Sequence, residues 1–519
     1  MNKPLVLSID IGTQSIRAML FDKEGNLLHK ARVAFNPYYS LKFGYAEQKP
    51  ELYWEKLLEA VNVVRQESGE KWKDVIGIAP TTMRDVCILL DGEMKPLRDA
   101  ILWMDRREAE VPNMPGKTKA LFKMVGMYET VKKTASGIRA NWIADNEPEI
   151  WEKAKKFVML SAYINLKLTG KLVDSVASTI GHIPFDYKNK TWFKENNLQR
   201  PMFKMSLDML YDLVNPAEKL GGLSKEVGDA MGLPEGLPVI ATGSDKGTET
   251  LGTGCVSENI ASLSFGTTAT VQMTTQKYVE PIAFLPAYPA VYPHRYNPEI
   301  QIYRGYWMIS WFIEQFGYSE KAEAKNAGIT AEKYMDRYIN DIPAGCEGLL
   351  VSPYWGAGLR HPEDRGAIVG FTESHTRGHV YKAMIEGINF ALMEGTKSLE
   401  KKTGVKVEKV AVSGGGTSSC EVCQLTADMF GVPVVRVQTH ETSGLGAAIC
   451  GFVGLGEFKD FDEAIGSMVH HQDPFIPNPD KHNLYQRLFE ERYVKVPKRL
   501  RPIFRDKNKE FDGLKRKIK

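Results

Sequence analysis

Two short segments constrain this chain more than anything else in it: Asp10-Ile-Gly12-Thr13-Gln14-Ser15 and Ser264-Phe-Gly266-Thr267-Thr268. Each lies between strand-like runs, Leu5 to Asp10 and Ile16 to Asp22 in the first case, Ile260 to Phe265 and Ala269 to Met273 in the second. A glycine in such a turn frees backbone N–H groups to point at one spot, and hydroxyls add donors, which suits a phosphate. One Gly-Thr hairpin turn is weak evidence, because such turns are common. The plan of strand, glycine–hydroxyl turn and strand occurs twice, and this predicts two related halves. Two turns facing each other across a cleft would clamp a polyphosphate from both sides.

The segments around the first turn extend the plan. Leu27 to Phe35 continues the hairpin into an antiparallel meander. Pro50 opens a helix, with Leu57, Leu58, Val61 and Val64 as its apolar stripe. Val75 to Ala79 and Cys87 to Gly92 read as further strands, and strands mixed with helices predict an α/β architecture. With 519 residues the chain is too long for one core. The expected domains are 1–254 and 255–492, followed by a basic tail at 493–519. Residues 281–300 carry five prolines amid aromatics and read as a long ordered loop. Residues 379–401 read as a long helix whose small residues Gly387, Ala391 and Gly395 let another backbone come close.

Charge and cysteine usage exclude several classes. The net charge of +3 conceals a tail with seven Lys and four Arg against three acidic residues, so the rest of the chain is slightly acidic. That balance argues against nucleic-acid binding, and the tail reads as a solvated end. Six scattered cysteines make no disulfide framework, and Cys420-x-x-Cys423 reads as two small residues on a helix. No stretch is long and apolar enough for a membrane span, and no signal peptide is recognisable at Met1-Asn2-Lys3-Pro4. The expected location is cytoplasmic, with no membrane or nucleic-acid partner and a homodimer as the assembly.

Four clusters carry the candidate chemistry. Asp10 ends its strand where it can hold a hydrated magnesium ion. Ser413-Gly-Gly415-Gly416-Thr-Ser-Ser419 joins a strand to a helix, a corner that suits an anion or a flat base on bare backbone, although glycines also serve tight αβ corners geometrically. Asp245 follows a strand in Thr242-Gly-Ser-Asp245-Lys246, where a carboxylate can orient an alcohol proton near a γ-phosphate or cap the next helix. Met83-Arg84-Asp85 and Trp103-Met-Asp105-Arg106-Arg107 pair cations with carboxylates beside a flat apolar ring, as vicinal hydroxyls would require, or form surface ion pairs.

Together these segments resemble the FGGY carbohydrate kinases, the family of glycerol kinase, xylulokinase and ribulokinase. The resemblance runs from residue 5 to about 490. It includes Gly44-Tyr-Ala-Glu47-Gln48, Trp103-x-Asp105-x-Arg107, Gly243-x-Asp245, Gly366-Ala-Ile-Val-Gly370 with His379 and Glu386 downstream, and the glycine-rich Thr442 to Ala448. It implies two actin-like (ribonuclease H-like) domains with mixed sheets flanked by helices, the active site in the interdomain cleft, and ATP with Mg²⁺ as cofactors. The substrate it implies is a small sugar or polyol, a ketose such as xylulose or a relative. By resemblance Asp245 is the general base and Asp10 holds Mg²⁺. Gly12, Thr13, Gln14, Ser15, Gly266, Thr267, Gly415, Gly416 and Ser419 bind the nucleotide. Met83, Arg84, Asp85, Trp103, Asp105 and Lys246 line the substrate side. The chain departs from xylulokinases, which have Met-His at Met83-Arg84, and from glycerol kinase, which has Gln at Lys246. Arg139 and Phe371 also depart from the family signatures, and Thr134 stands nearest the position of the substrate-side Tyr of glycerol kinase. Arg84 and Lys246 suit a substrate with an acid or extra oxygen.

Two rival readings use the same turns. An actin-like ATPase or heat-shock-type chaperone explains the phosphate turns but not Asp245 together with Trp103 to Arg107. A sugar- or nucleotide-binding protein without catalysis leaves the intact Asp10, Thr13, Asp245 and Gly266 unexplained.

Overall fold

The structure, a computed structural model, describes residues 3–111, 116–124, 128–282, 285–356, 361 and 363–505. Residues 283–284 of the proline-rich loop and 506–519 of the basic segment lie outside the described residues. The chain forms two compact units. The first comprises 1–254, 286–296 and 441–469; the second comprises 255–285, 297–440 and 470–519.

In the first unit β1 (Leu5–Ile11), β2 (Ser15–Phe21) and β3 (Leu27–Ala34) form the expected antiparallel meander. Helix α1 (Pro50–Ser68) then crosses over to β4 (Val75–Thr82), which pairs parallel to β1. The chain later adds β5 (Lys219–Gly222) and β6 (Pro238–Ile240), so the sheet runs β5-β6-β4-β1-β2-β3. Pro50 occupies the first turn of α1, whose buried face is Tyr53, Leu57, Ala60, Val61 and Val64. Leu58, assigned to that stripe by spacing alone, is only partly buried. Helix α2 (Asp245–Gly252) starts beyond β6, with the Ser244 hydroxyl accepting from the Gly247 N–H as its N-cap.

The second unit repeats the plan. Strands β7 (Ile260–Phe265), β8 (Ala269–Met273) and β9 (Glu299–Ile302) are antiparallel. After α3 (Arg377–Thr403) come β10 (Lys409–Ser413), α4 (Cys420–Phe430) and β11 (Val434–Val435), with β10 parallel to β7. The sheet order β9-β8-β7-β10-β11 matches β3-β2-β1-β4-β6 strand for strand. Helix α3 is the long helix that the spacing predicts. A Cβ on Gly387 would lie 2.5 Å from the Val351 carbonyl oxygen, and one on Gly395 would lie 2.9 Å from the Val271 side chain. The small stripe therefore seats α3 against the strand Leu350–Ser352 at Gly387 and against β8 of the second sheet at Gly395. Lys495–Arg505 is helical, and Arg501 makes a paired contact with Asp364 at 2.7 and 3.0 Å, so this part of the basic segment is anchored.

Helix α5 (Thr442–Gly454), in the last segment of the first unit, decides how that unit is layered. Alternate residues of a strand face opposite sides. Leu7, Ile9 and Ile11 of β1 join the core cluster that holds the buried face of α1. On the other side the Ser8 hydroxyl donates to the Gly444 carbonyl of α5 at 2.9 Å. Asp10 shares this α5 side. Helices α2 and α5 meet backbone to backbone: a Cβ on Gly252 would run into the Thr442 carbonyl, and one on Gly446 into the Thr248 carbonyl.

Gly446→Ala is expected to destabilise the fold by about 1–3 kcal/mol, because the helices must separate. The reading is a lower urea midpoint at an unchanged slope. Gly466→Ala, inside helix Phe461–Met468 with open space at its Cα, is expected to stabilise the fold by roughly 0.5–1 kcal/mol and so raise the midpoint instead. Equal shifts for both would refute the close approach.

Candidate active site

The first turn brings three carboxylates together through elements of the first unit. Strand register sets Arg17 opposite Asp10, and Arg17 donates to the Asp10 carboxylate at 3.0 Å. Glu441, at the N-terminus of α5, pairs with Arg17 at 3.4 Å and with Lys30 at 2.8 Å. Asp10 is buried, and burial pushes its pKa up to about 6 against the pull of Arg17, with the charges of Asp245 and Glu441 adding to the rise. Asp245 is the first residue of α2, where the helix dipole favours a negative charge. Its carboxylate accepts from the Lys246 N–H at 2.8 Å, and its carbonyl accepts from the Ser443 hydroxyl at 3.2 Å. Burial raises its pKa, while Arg84 and Lys246 hold it down. Among the described residues no set of three or more His, Cys, Asp or Glu side chains forms a metal cage. Asp10 and Asp245, two oxygen donors within electrostatic reach, fit Mg²⁺, which takes one or two carboxylates and completes its shell with water and phosphate oxygens.

The turn beyond Asp10 is tied down by its neighbours. The Gly12 N–H donates to the Ser15 carbonyl at 3.1 Å, closing it. The Thr13 hydroxyl accepts from Trp103 Nε1 at 3.1 Å and reaches the Met83 sulfur at 3.4 Å. Met83, Trp103 and Thr13, separate in sequence, therefore meet at one place. Gln14 is exposed, but Ser15 is buried and its hydroxyl accepts from Arg32 at 3.2 Å. Of the four turn residues, Ser15 thus points into the sheet rather than outward.

The substrate-side residues divide. The Arg84 guanidinium stacks over the Tyr288 ring at 5.1 Å, and Tyr187 meets Tyr288 edge to face. Asp85 pairs with Arg139 at 3.0 Å and with His182 at 2.9 Å. Burial alone would raise the Asp85 pKa, but Arg139 and His182 hold it at about 2. Asp105 is different. Its side chain is 0% exposed and accepts from the Ala46 N–H at 2.6 Å and from the Arg107 guanidinium at 2.8 Å. Arg107 in turn pairs with Glu47 at 2.8 Å and lies over the rings of Tyr45 (4.1 Å) and Trp142 (4.5 Å). Asp105 thus braces the segment around Tyr45, Ala46 and Glu47. Lys246 is drawn into an ion pair with Glu249 at 2.6 Å, one helical turn on.

In the second unit the two glycine segments pack on each other. Gly414 has φ 88°, and a Cβ there would lie 2.9 Å from the Phe265 carbonyl carbon. The Tyr306 N–H donates to the Gly266 carbonyl at 3.0 Å, and a Cβ on Gly416 would lie 2.6 Å from the Tyr306 ring. Gly415 and Thr267 are exposed, and open space surrounds the Gly415 Cα, leaving bare backbone for a flat group. Ser419 also has a partner within the fold. It is buried, and its hydroxyl accepts from the Val422 N–H at 3.2 Å as the N-cap of α4. On the same helix Cys420 is exposed and Cys423 buried, as two helical residues should be.

No sequence motif marked Arg17, Glu441, His182 or Tyr288. Arg17 was reachable by counting pairs outward from the turn, since Ile11 faces Ile16 and Asp10 faces Arg17. His182 and Tyr288 carry no such signal.

Comparison with known proteins places the chain in a family. Residues 5–252 match the model of the N-terminal domain of the FGGY family of carbohydrate kinases, and residues 261–455 match its C-terminal domain. A xylulose kinase of Lactococcus lactis is 27% identical over 500 residues, covering 93% of this chain and 95% of the relative. A gluconokinase of Bacillus licheniformis is 26% identical over 496 residues, covering 93% and 94%. The crystal structure of a ligand-bound xylulose kinase from Lactobacillus acidophilus superimposes with a TM-score of 0.81 at 23% identity, covering 96% of this chain and 99% of that one. No helix among the described residues is long and apolar enough to cross a membrane. With both family domains matched in order on the shared fold, the chain belongs to the FGGY family of carbohydrate kinases.

Proposed function

We propose that this kinase transfers the γ-phosphoryl group of Mg-ATP to a hydroxyl of a small sugar, with Asp245 as the general base. The observation that carries the reading is the placement of Asp245. It sits at the N-terminus of α2 within electrostatic reach of Asp10, with Arg84 beside it. The substrate class is a ketose or sugar acid, because the relatives include a xylulose kinase and a gluconokinase. The ATPase and non-catalytic readings lose ground to those relatives.

The chemistry follows from the residues. Asp245 accepts the hydroxyl proton as the substrate oxygen attacks the γ-phosphorus; the new O–P bond forms while the bond to the β-phosphate oxygen breaks, and ADP leaves. Burial makes Asp245 a better base than an exposed carboxylate, and Arg84 and Lys246 keep it ionised. Asp10 is the residue that would hold Mg²⁺, which neutralises phosphate charge during transfer. Thr13 and the backbone of Gly12 serve the phosphates from the first unit, and Gly266, Thr267, Gly415 and Gly416 serve the nucleotide from the second. Trp103 offers a flat wall to the C–H face of the sugar.

ADP release with Mg-ATP across ketoses, polyols and sugar acids tests this directly. One compound is expected to stimulate turnover, and Asp245→Asn is expected to lower kcat by roughly 10²–10⁴ while the KM for ATP holds. Turnover that ignores every compound, or that survives the substitution, sinks the assignment. The pH profile gives a second check. The acid limb of kcat/KM reports protonation of Asp245 and lies above the ordinary carboxylate range. Lys246→Met removes a cation that favours the ionised form, so the limb is expected to move to higher pH. A limb that stays or moves down contradicts the role given to Asp245.

A further inference from the structure

Several costly features converge on His182, a residue outside every motif. Asp85 has φ 55°, a left-handed conformation that is strained for a non-glycine residue. Its carboxylate accepts from the His182 N–H at 3.0 Å and lies 2.9 Å from His182 Nδ1. Arg139 Nη1 lies 3.0 Å from both that carboxylate and Nδ1. Nδ1 thus faces Asp85, which only accepts, and Arg139, which only donates; the tautomer with the ring proton on Nδ1 gives Asp85 a donor and leaves Nε2 its lone pair. Two glycines leave room for this arrangement. A Cβ on Gly181 would lie 2.7 Å from an Asp85 carboxylate oxygen, and one on Gly137 would lie 3.0 Å from His182 Nε2. The Tyr187 hydroxyl fixes Gly181 from the other side, accepting from its N–H and donating to its carbonyl at 3.0 Å.

All this bracing supports a side chain that is still 38% exposed. Core packing does not require a ring held so firmly at the surface, whereas strain of this kind gathers at ligand sites. The ring is also tied to the chemistry along two short paths. Arg139 donates to the carbonyls of Leu102 (3.3 Å) and Trp103 (3.2 Å), and Trp103 donates to Thr13 in the phosphate turn. Asp85 is next in sequence to Arg84, whose charge acts on Asp245.

We propose that His182 contacts the sugar and helps to select it. Its Nε2 accepts a hydrogen bond from a substrate hydroxyl other than the one phosphorylated, and Asp85 is the positioning residue that fixes the ring. This rests on the sugar-kinase reading above and deepens it: the preferred substrate carries a second free hydroxyl that an acceptor can recognise. A site built to bond a hydroxyl rejects analogues that lack it.

His182→Asn separates the contact from the scaffold, because the amide N–H replaces Nδ1–H toward Asp85 while Nε2 is lost. For the sugar that turns over best in the panel, KM is expected to rise ~10-fold or more, with the KM for ATP moving by less than about twofold. The melting temperature should hold. The deoxy analogue lacking the recognised hydroxyl should no longer distinguish wild type from variant. An unchanged sugar KM in His182→Asn overturns the proposal. Imidazole ¹⁵N spectra of the full chain provide a readout that needs no turnover. They are expected to show Nδ1 protonated and Nε2 bare in the free protein, and the opposite tautomer also overturns it. Asp245→Asn keeps the two ideas apart: sugar-stimulated turnover surviving there removes the base, whereas only the KM split and the tautomer bear on His182.

Discussion

Helices α2 and α5 cross where Gly252 and Gly446 face each other, and no side chain separates the two backbones. That approach brings the N-termini of both helices to the α5 side of β1. Asp245 starts one helix and Glu441 precedes the other, so the charges of both carboxylates act on Asp10. Widening the crossing by one methyl group would shift Asp245 and the anchor of Arg17 together. Packing and chemistry are therefore set by the same pair of glycines, which belong to segments 194 residues apart in the chain.

Around that crossing, burial and neighbouring charge compete at each carboxylate, and the outcome differs from one to the next. At Asp10 burial wins over Arg17, and the acid is held well above its ordinary range. At Asp85 Arg139 and His182 overcome burial and keep it ionised. Asp245 lies between them, raised by burial yet restrained by Arg84 and Lys246. Carboxylates whose pKa is raised and one whose pKa is lowered thus lie in the same unit, each tuned by which cations its elements bring near.

Much of this is legible in the sequence because it is local. The meander, α1 with its leading Pro50 and the long α3 with its small stripe follow from turn residues and periodicity. The two glycine–hydroxyl turns are legible for the same reason. What sequence cannot show is where a polar side chain spends its hydrogen bonds. Asp105 reads as a sugar ligand from its place in a motif, yet Ala46 and Arg107 enclose it. Ser419 reads as a nucleotide ligand and caps a helix, and Lys246 turns to Glu249. Tyr288 reaches Arg84 from a segment whose proline-rich composition announces only a loop. Such pairings arise from long-range folding, and no spacing encodes them.

The matching strand orders of the two units carry a consequence for how the molecule came to work. When one five-strand plan occurs twice in a chain, either copy is free to change its turn while the other preserves the architecture. Asp10 and Arg17 face each other across the first hairpin; at the corresponding places in the second stand Ser264 and Thr270. One unit carries opposite charges at these places and the other neutral hydroxyls, on the same strand pairing. Corresponding residues in the two halves are structural equivalents but not chemical ones.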